Sequence, residues 1–152
     1  MRLYYDIKSA SDCVGLFLKD TEIVAAGTTI SAASPKNNNM ELQRIAEDYN
    51  IHCIFNDNIP TIDFYAVPQF DIFAHDGCKG YFGMLPQRDD VVYYISQDRE
   101  CFWVADNISA FIHDAANWRK KLISCNNISI YPSKEEAAKV LDFIDLNNLL
   151  DR

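Results

Sequence analysis

The sequence has no apolar run near the ~18 residues needed to span a bilayer, and it contains no CxxC or HExxH pattern. Its N-terminal stretch, MRLYYDIKSASD, lacks the continuous apolar core of a secretory signal peptide. The five cysteines are odd in number and show no paired spacing, which is not typical of a secreted disulfide framework. We therefore expect a cytoplasmic protein with reduced thiols and no membrane association.

Positive charge is scarce: 14 Lys and Arg face 22 Asp and Glu, which gives a formal net charge of -8. An acidic protein repels the phosphate backbone, so the composition argues against direct nucleic-acid binding. The negative charge is explained either by solubility alone or by a partner that is itself basic. The acidity is concentrated in residues 41–76, where seven acids against one base (Arg44) give a net of -6. The seven acids are Glu41, Glu47, Asp48, Asp57, Asp63, Asp71 and Asp76.

Length and periodicity predict one α+β domain over residues 1–152. Apolar residues make up 49% of the chain, which is enough for a core without covalent staples. Residues 40–49 have helical periodicity after Asn39, a suitable N-cap, and two more helices are expected after the caps Asn107 and Ser133. Between them lie strand-like segments without alternating βαβ units, which predicts a central, mainly antiparallel sheet flanked by helices.

The strongest strand patterns are VVYYIS (91–96) and CFWVAD (101–106), which are apolar on both faces and typical of central strands. Trp103 is therefore expected to be largely buried. In FDIFAHD (70–76), alternation places Phe70, Ile72 and Ala74 on one face. Residues 11–26 carry a helical pattern that Gly15 weakens.

The segment FDIFAHDGCKGYFG (70–83) has three glycines at equal spacing, Gly77, Gly80 and Gly83. A phosphate-binding loop would lead from a strand into a helix, but strand-like sequence continues here. We interpret Asp76 and the three glycines as a tight structural turn in which Gly77 supplies a positive φ.

Catalytic and metal-binding arrangements are weakly represented. His75 and Cys78 flank the turn and could form a nucleophile–base pair, but no cysteine-hydrolase signature surrounds them. His52 and Cys53 are adjacent and would point to opposite faces of a strand. The sequence therefore predicts no catalytic residues, no cofactor and no metal.

Residues 59–118 resemble the SUKH superfamily, the relatives of the yeast Smi–Knr cell-wall-synthesis regulators. The matching features are DIFAxDGCxGYFG (Asp71 to Gly83), VYYI (Val92 to Ile95) and VADNxxxF (Val104 to Phe111). The resemblance implies a compact α+β domain that binds proteins. It also implies that a bacterial member is an immunity protein, which neutralises a polymorphic toxin, often a nuclease.

We therefore expect an immunity protein that binds a toxin domain with a basic surface. A regulatory or scaffold module that binds an endogenous protein is the alternative, and a small enzyme using Cys78 and His75 is a third hypothesis. The candidate partner-binding residues are Asp57, Asp63, Asp71, Asp89 and Asp90.

Overall fold

The computed structural model describes residues 2–7, 22–86 and 88–144. The strands are β1 (Arg2–Asp6), β2 (Glu22–Ala26), β3 (Thr28–Ile30), β4 (His52–Cys53), β5 (Tyr65–Val67), β6 (Phe70–His75), β7 (Tyr81–Met84), β8 (Val92–Ile95), β9 (Cys101–Ala105), β10 (Ile123–Ser124) and β11 (Ser129–Tyr131). The helices are α1 (Met40–Tyr49), α2 (Ile108–His113), α3 (Lys134–Ala138) and two 3-10 segments, Pro35–Asn37 and Ala115–Lys121.

The main sheet has the order β10-β9-β8-β7-β6-β3, and β4 also pairs with β6. Its pairs are antiparallel apart from β3, which runs parallel to β6. This parallel pair was not predicted, because it joins segments separated by α1, β4 and β5. Two small sheets complete the fold: β1 and β2 are parallel, and β5 and β11 form an antiparallel ribbon. The α+β class and the largely antiparallel sheet are confirmed.

One face of the main sheet packs against α1, α2 and the second 3-10 segment. Helix α1 is capped at its start by Asn39, whose Oδ1 accepts a hydrogen bond from the Leu42 amide at 2.9 Å, and at its end by Asn50, which has a φ of 59°. Trp118 is 2% exposed in this layer, and its Nε1 donates to the Tyr49 carbonyl at 2.8 Å. The buried members of this helix-side core are Ile45, Ile51, Ala74, Phe82, Val92, Tyr94, Val104, Ala105, Phe111, Ala115 and Trp118.

The opposite face is covered by the β5–β11 ribbon and the segment that precedes it. The buried members of this ribbon-side core are Ile54, Phe64, Ala66, Phe70, Ile72, Tyr81, Leu85, Tyr93, Ile95, Cys101 and Ile128. Strand β8 contributes to both cores, and all four of its residues are buried. The expectation that β8 is a central strand covered on both sides is confirmed.

The prediction that Ala74 lies on the same face of β6 as Phe70 and Ile72 is wrong. Phe70 and Ile72 pack in the ribbon-side core, whereas Ala74 packs in the helix-side core together with Phe73. The pairing with β7 shifts between Ile72 and Ala74, which is a β-bulge. An extra residue in one strand reverses the faces of all residues that follow it, so simple alternation cannot be extended across the bulge.

Trp103 keeps only a minor part of its surface exposed, which agrees with the expectation that it is largely buried, but it belongs to neither core. It lies between Tyr93 of β8 and Ile123 of β10. Strand β10 has only two residues, and Ile123 is 60% exposed, so the sheet ends close to Trp103. The fully buried tryptophan is Trp118, which sequence reasoning did not single out.

The N-terminal helical pattern is also wrong where the structure describes it. Residues Glu22–Ala26 form β2, which pairs with β1 along its whole length. The β-branched Ile23 and Val24 favour a strand, and tertiary pairing overrides the helical spacing. The rest of that predicted helix, residues 11–21, lies outside the described residues.

We predict that Trp118→Ala lowers the free energy of unfolding by about 3–5 kcal/mol, because it leaves a cavity in the helix-side core. Trp103→Ala should cost less, about 1 kcal/mol, since a partly exposed side chain outside both cores loses less on truncation. Urea denaturation of both variants measures the difference. Equal losses in the two variants would show that the assignment of the cores is wrong.

Candidate partner-binding surface

The turn between β6 and β7 is organised around the buried carboxylate of Asp76, which is 4% exposed. Its Oδ1 accepts hydrogen bonds from the amides of Cys78 at 2.7 Å and Gly80 at 2.9 Å. Its Oδ2 accepts from the Tyr94 hydroxyl at 2.5 Å. Asp76 therefore connects the turn to β8, the central strand.

The electrostatics of this turn stabilise the charged form of Asp76. Burial alone would raise its pKa, but hydrogen bonds from Tyr94, Cys78 and Gly80, with the positive charge of Arg119, outweigh burial and hold the pKa below the ordinary value of 3.8. Burial and the bond to Asp76 raise the pKa of the Tyr94 hydroxyl. The network accounts for a buried charge without any ligand.

The glycines of the motif are required by space and backbone conformation. Gly77 has a φ of 80°, so the predicted positive φ is confirmed. A Cβ on Gly80 would overlap the Tyr94 hydroxyl and Asp76 Oδ2. A Cβ on Gly83 would lie 2.5 Å from the Asp71 carbonyl oxygen. The turn thus has a structural explanation at each of these positions.

The contacts of the two histidines beside the turn are with each other and with the backbone. His52 and His75 are opposite each other on β4 and β6, and their rings stack with centroids 5.1 Å apart. The Gly77 amide donates to His75 Nδ1 at 3.0 Å, which occupies the only acceptor nitrogen of a neutral imidazole. Burial, followed by the neighbouring His52, lowers the pKa of His75. Cys78 is exposed, and its thiol makes no hydrogen bond to either of these two histidines.

Two of the five candidate aspartates lie before β5, in the segment that covers the ribbon-side core. Asp57 and Asp63 are both exposed. The Asp63 carbonyl accepts a hydrogen bond from Arg99 Nη2 at 3.4 Å, and Arg99 belongs to the turn between β8 and β9. Asp63 therefore lies near the end of the main sheet that also carries the Asp76 turn.

The other three aspartates lie at the opposite end of the sheet, which we call the loop end. Asp71 lies near the start of β6, and Asp89 and Asp90 lie in the loop between β7 and β8. Asp71 is opposite Met84, the last residue of β7. It is half-buried and accepts hydrogen bonds from the Thr29 hydroxyl at 2.8 Å and from the Ser31 hydroxyl. The five candidates consequently do not form one continuous patch.

The loop end is partly rigidified by its own side chains. Asp89 Oδ1 accepts from the Val91 amide at 3.1 Å, and its Oδ2 accepts from the Tyr93 hydroxyl at 3.3 Å. Asp90 is exposed. Sequence reasoning missed Asp106, an exposed residue that follows Ala105, the pairing partner of Val92. The acid in VADN directly after a strand was the available signal, and the pairing of Val92 with Ala105 places Asp106 at the same end of the sheet as Asp90.

The charge of these carboxylates is not neutralised within the described part of the chain. Four ion pairs occur among residues 2–7, 22–86 and 88–144, and none includes any of the five candidate aspartates or Asp106. Asp57, Asp63 and Asp90 are therefore exposed acids outside the ion pairs of the described residues.

A cavity of about 190 Å³ lies beside the loop end and is lined in part by Arg2, Arg88, Asn127 and Tyr131. Arg2 is paired with Glu22 at 2.8 Å. The volume is below the roughly 300 Å³ at which small-molecule pockets begin, so we assign it no cofactor. No group of three or more His, Cys, Asp or Glu that could hold a metal occurs in the described ranges.

No family model matches the chain, and no curated protein or solved structure matches it with statistical significance. Among the helices of the described residues, none is long and apolar enough to cross a membrane.

We predict that Asp76→Ala lowers the free energy of unfolding at pH 7 by about 3 kcal/mol or more, because two amides and a hydroxyl lose their buried acceptor. The folded-state pKa of Asp76 is depressed, so its contribution is complete above pH ~4 and is lost as the pH falls through the folded pKa. Asp76→Asn should lack this part of the acid dependence. Urea denaturation between pH 2 and 7 measures both effects, and an Asp76→Ala variant as stable as the parent would contradict the network.

Proposed function

We propose that the chain is a non-catalytic protein-binding domain, an immunity protein that neutralises a cognate toxin domain in the cytoplasm of the producing cell. The proposal rests on the resemblance of residues 59–118 to the SUKH superfamily and on the net charge of -8. The observation that carries it is the set of exposed aspartates without an ion pair, Asp57, Asp63 and Asp90.

Uncompensated surface carboxylates suit a partner of opposite charge. A nuclease toxin must hold a polyanion and therefore presents basic residues at its substrate site. Complementary charge accelerates association and excludes acidic competitors, while its effect on dissociation is smaller. An acidic domain that covers such a site would also repel the nucleic-acid substrate.

The loop end is our preferred contact region. Asp89, Asp90 and Asp106 lie on chain segments that join directly to β8 and β9, and the hydrogen bond from the Tyr93 hydroxyl to Asp89 connects the loop to β8. A contact surface that is already ordered loses less conformational entropy on binding. Asp71, at the same end, accepts hydrogen bonds from Thr29 and Ser31 and is therefore a poorer candidate for direct contact.

We predict that the association rate constant with the toxin-like product of a neighbouring gene falls roughly tenfold between 50 and 500 mM salt, because the screening length of surface charge shortens over this range from more than ~10 Å to less than ~8 Å. Asp90→Lys should lower the rate at low salt further, and Asp57→Lys and Asp63→Lys test the second region separately. Asp142→Lys changes the net charge equally at an exposed acid that is not among the candidate contact residues and is the matched control. Surface plasmon resonance across a salt series gives both rate constants.

The outcomes separate the hypotheses. A rate that does not depend on salt, with silent reversals, would refute the electrostatic interface even if the protein inhibits the toxin. Failure to bind or protect against any neighbouring toxin, with stable capture of a housekeeping protein whose identity is then established, would favour the regulatory or scaffold alternative. Thiol-dependent turnover that is lost in Cys78→Ser would favour an enzyme.

A further inference from the structure

Two cysteines face each other where the edge of the main sheet meets the ribbon-side core. Cys101 is the first residue of β9, and Cys125 directly follows β10. Because Ser124 pairs with Phe102 in antiparallel register, the next residue on each strand places Cys125 opposite Cys101. The Cys125 amide donates to the Cys101 carbonyl at 3.1 Å.

The side chains of Cys101 and Cys125 are also in contact. The two sulfur atoms are 3.0 Å apart, although the residues are separated by 24 positions in sequence. Directly opposed residues of an antiparallel pair have Cα atoms about 4.5–5.5 Å apart, which lies within the range that a disulfide spans. Bond formation therefore needs no rearrangement of the strands.

The surroundings distinguish the two thiols. Cys101 is buried, and Cys125 is half-buried against the same core. Burial, reinforced by the hydrogen bond with Cys125, raises the pKa of the Cys101 thiol, so this thiol is the poorer first nucleophile. Neither Cys53 nor Cys78, the other two described cysteines, has a sulfur partner of this kind.

We propose that Cys101 and Cys125 form a reversible dithiol–disulfide pair that low-molecular-weight disulfides of the glutathione type oxidise. The Cys125 thiolate attacks one sulfur of the small disulfide, forms a mixed disulfide and releases the first small thiol. The Cys101 sulfur, after losing its proton to solvent, attacks Cys125 Sγ and releases the second small thiolate, which takes up a proton. The protein loses two electrons and two protons, and the small disulfide gains them.

The physical consequence is a covalent link across the sheet's edge. Strand β10 has two residues and one pairing partner, so it depends on few hydrogen bonds. The disulfide would fix β10 and the segment leading to β11 onto β9. This inference does not depend on the proposed toxin partner and is compatible with reduced thiols in a resting cytoplasm.

The test uses the full chain, fully reduced and then incubated with oxidised glutathione. We expect a mass decrease of about 2 Da and a non-reducing tryptic digest in which peptides 100–119 and 122–134 are joined. The melting temperature should rise by roughly 5 to 15 °C and return to its initial value with dithiothreitol. The control Cys78→Ser should retain the shift, and Cys125→Ser should lose it.

Two results would overturn the proposal. The first is oxidation that yields only glutathione adducts, with Cys101 and Cys125 still free. The second is a disulfide that links Cys101 or Cys125 to any other cysteine. Since the peptide map is made on the unmodified protein, it remains decisive even if a variant fails to fold.

Discussion

Complete burial of β8 is the constraint on which the rest of the structure depends. Val92 and Tyr94 pack in the helix-side core, and Tyr93 and Ile95 pack in the ribbon-side core. A strand with both faces apolar must be covered by a layer on each side. The helices on one face and the β5–β11 ribbon on the other satisfy that requirement, and each layer depends on the same strand.

Because both faces of the sheet are covered, polar groups are concentrated where strands end. At one end, the Asp76 carboxylate accepts hydrogen bonds from within its own turn and from Tyr94 of β8, which connects the turn to the central strand. At the loop end, Asp90 and Asp106 remain exposed and outside the ion pairs of the described residues. The covered sheet thus leaves carboxylates at its end that no ion pair of the described residues compensates, and the proposed protein-binding function depends on this negative charge.

Local signals in the sequence predicted local structure well. Asn39, Asn107 and Ser133 each cap a helix, since a capping side chain bonds to an amide within three residues of itself. The face of Ala74 and the exposure of Trp103 depend on a bulge and on the short length of a neighbouring strand. Both are properties of strand pairing, and neither is encoded in the periodicity of one segment. For the same reason the aspartates could be identified as candidates, while their separation between two ends of the sheet could not.

Native-state hydrogen exchange tests most directly whether β8 couples the two cores. If β8 couples the two cores, amides of β8, of Phe82 on the helix side and of Ile72 on the ribbon side exchange only through global unfolding. Their opening free energies should then agree with one another and with the global value from urea denaturation. The opposite result would be ribbon-side amides that exchange together with a markedly smaller opening free energy while helix-side amides stay protected. The two cores would then unfold independently, and β8 would not couple them.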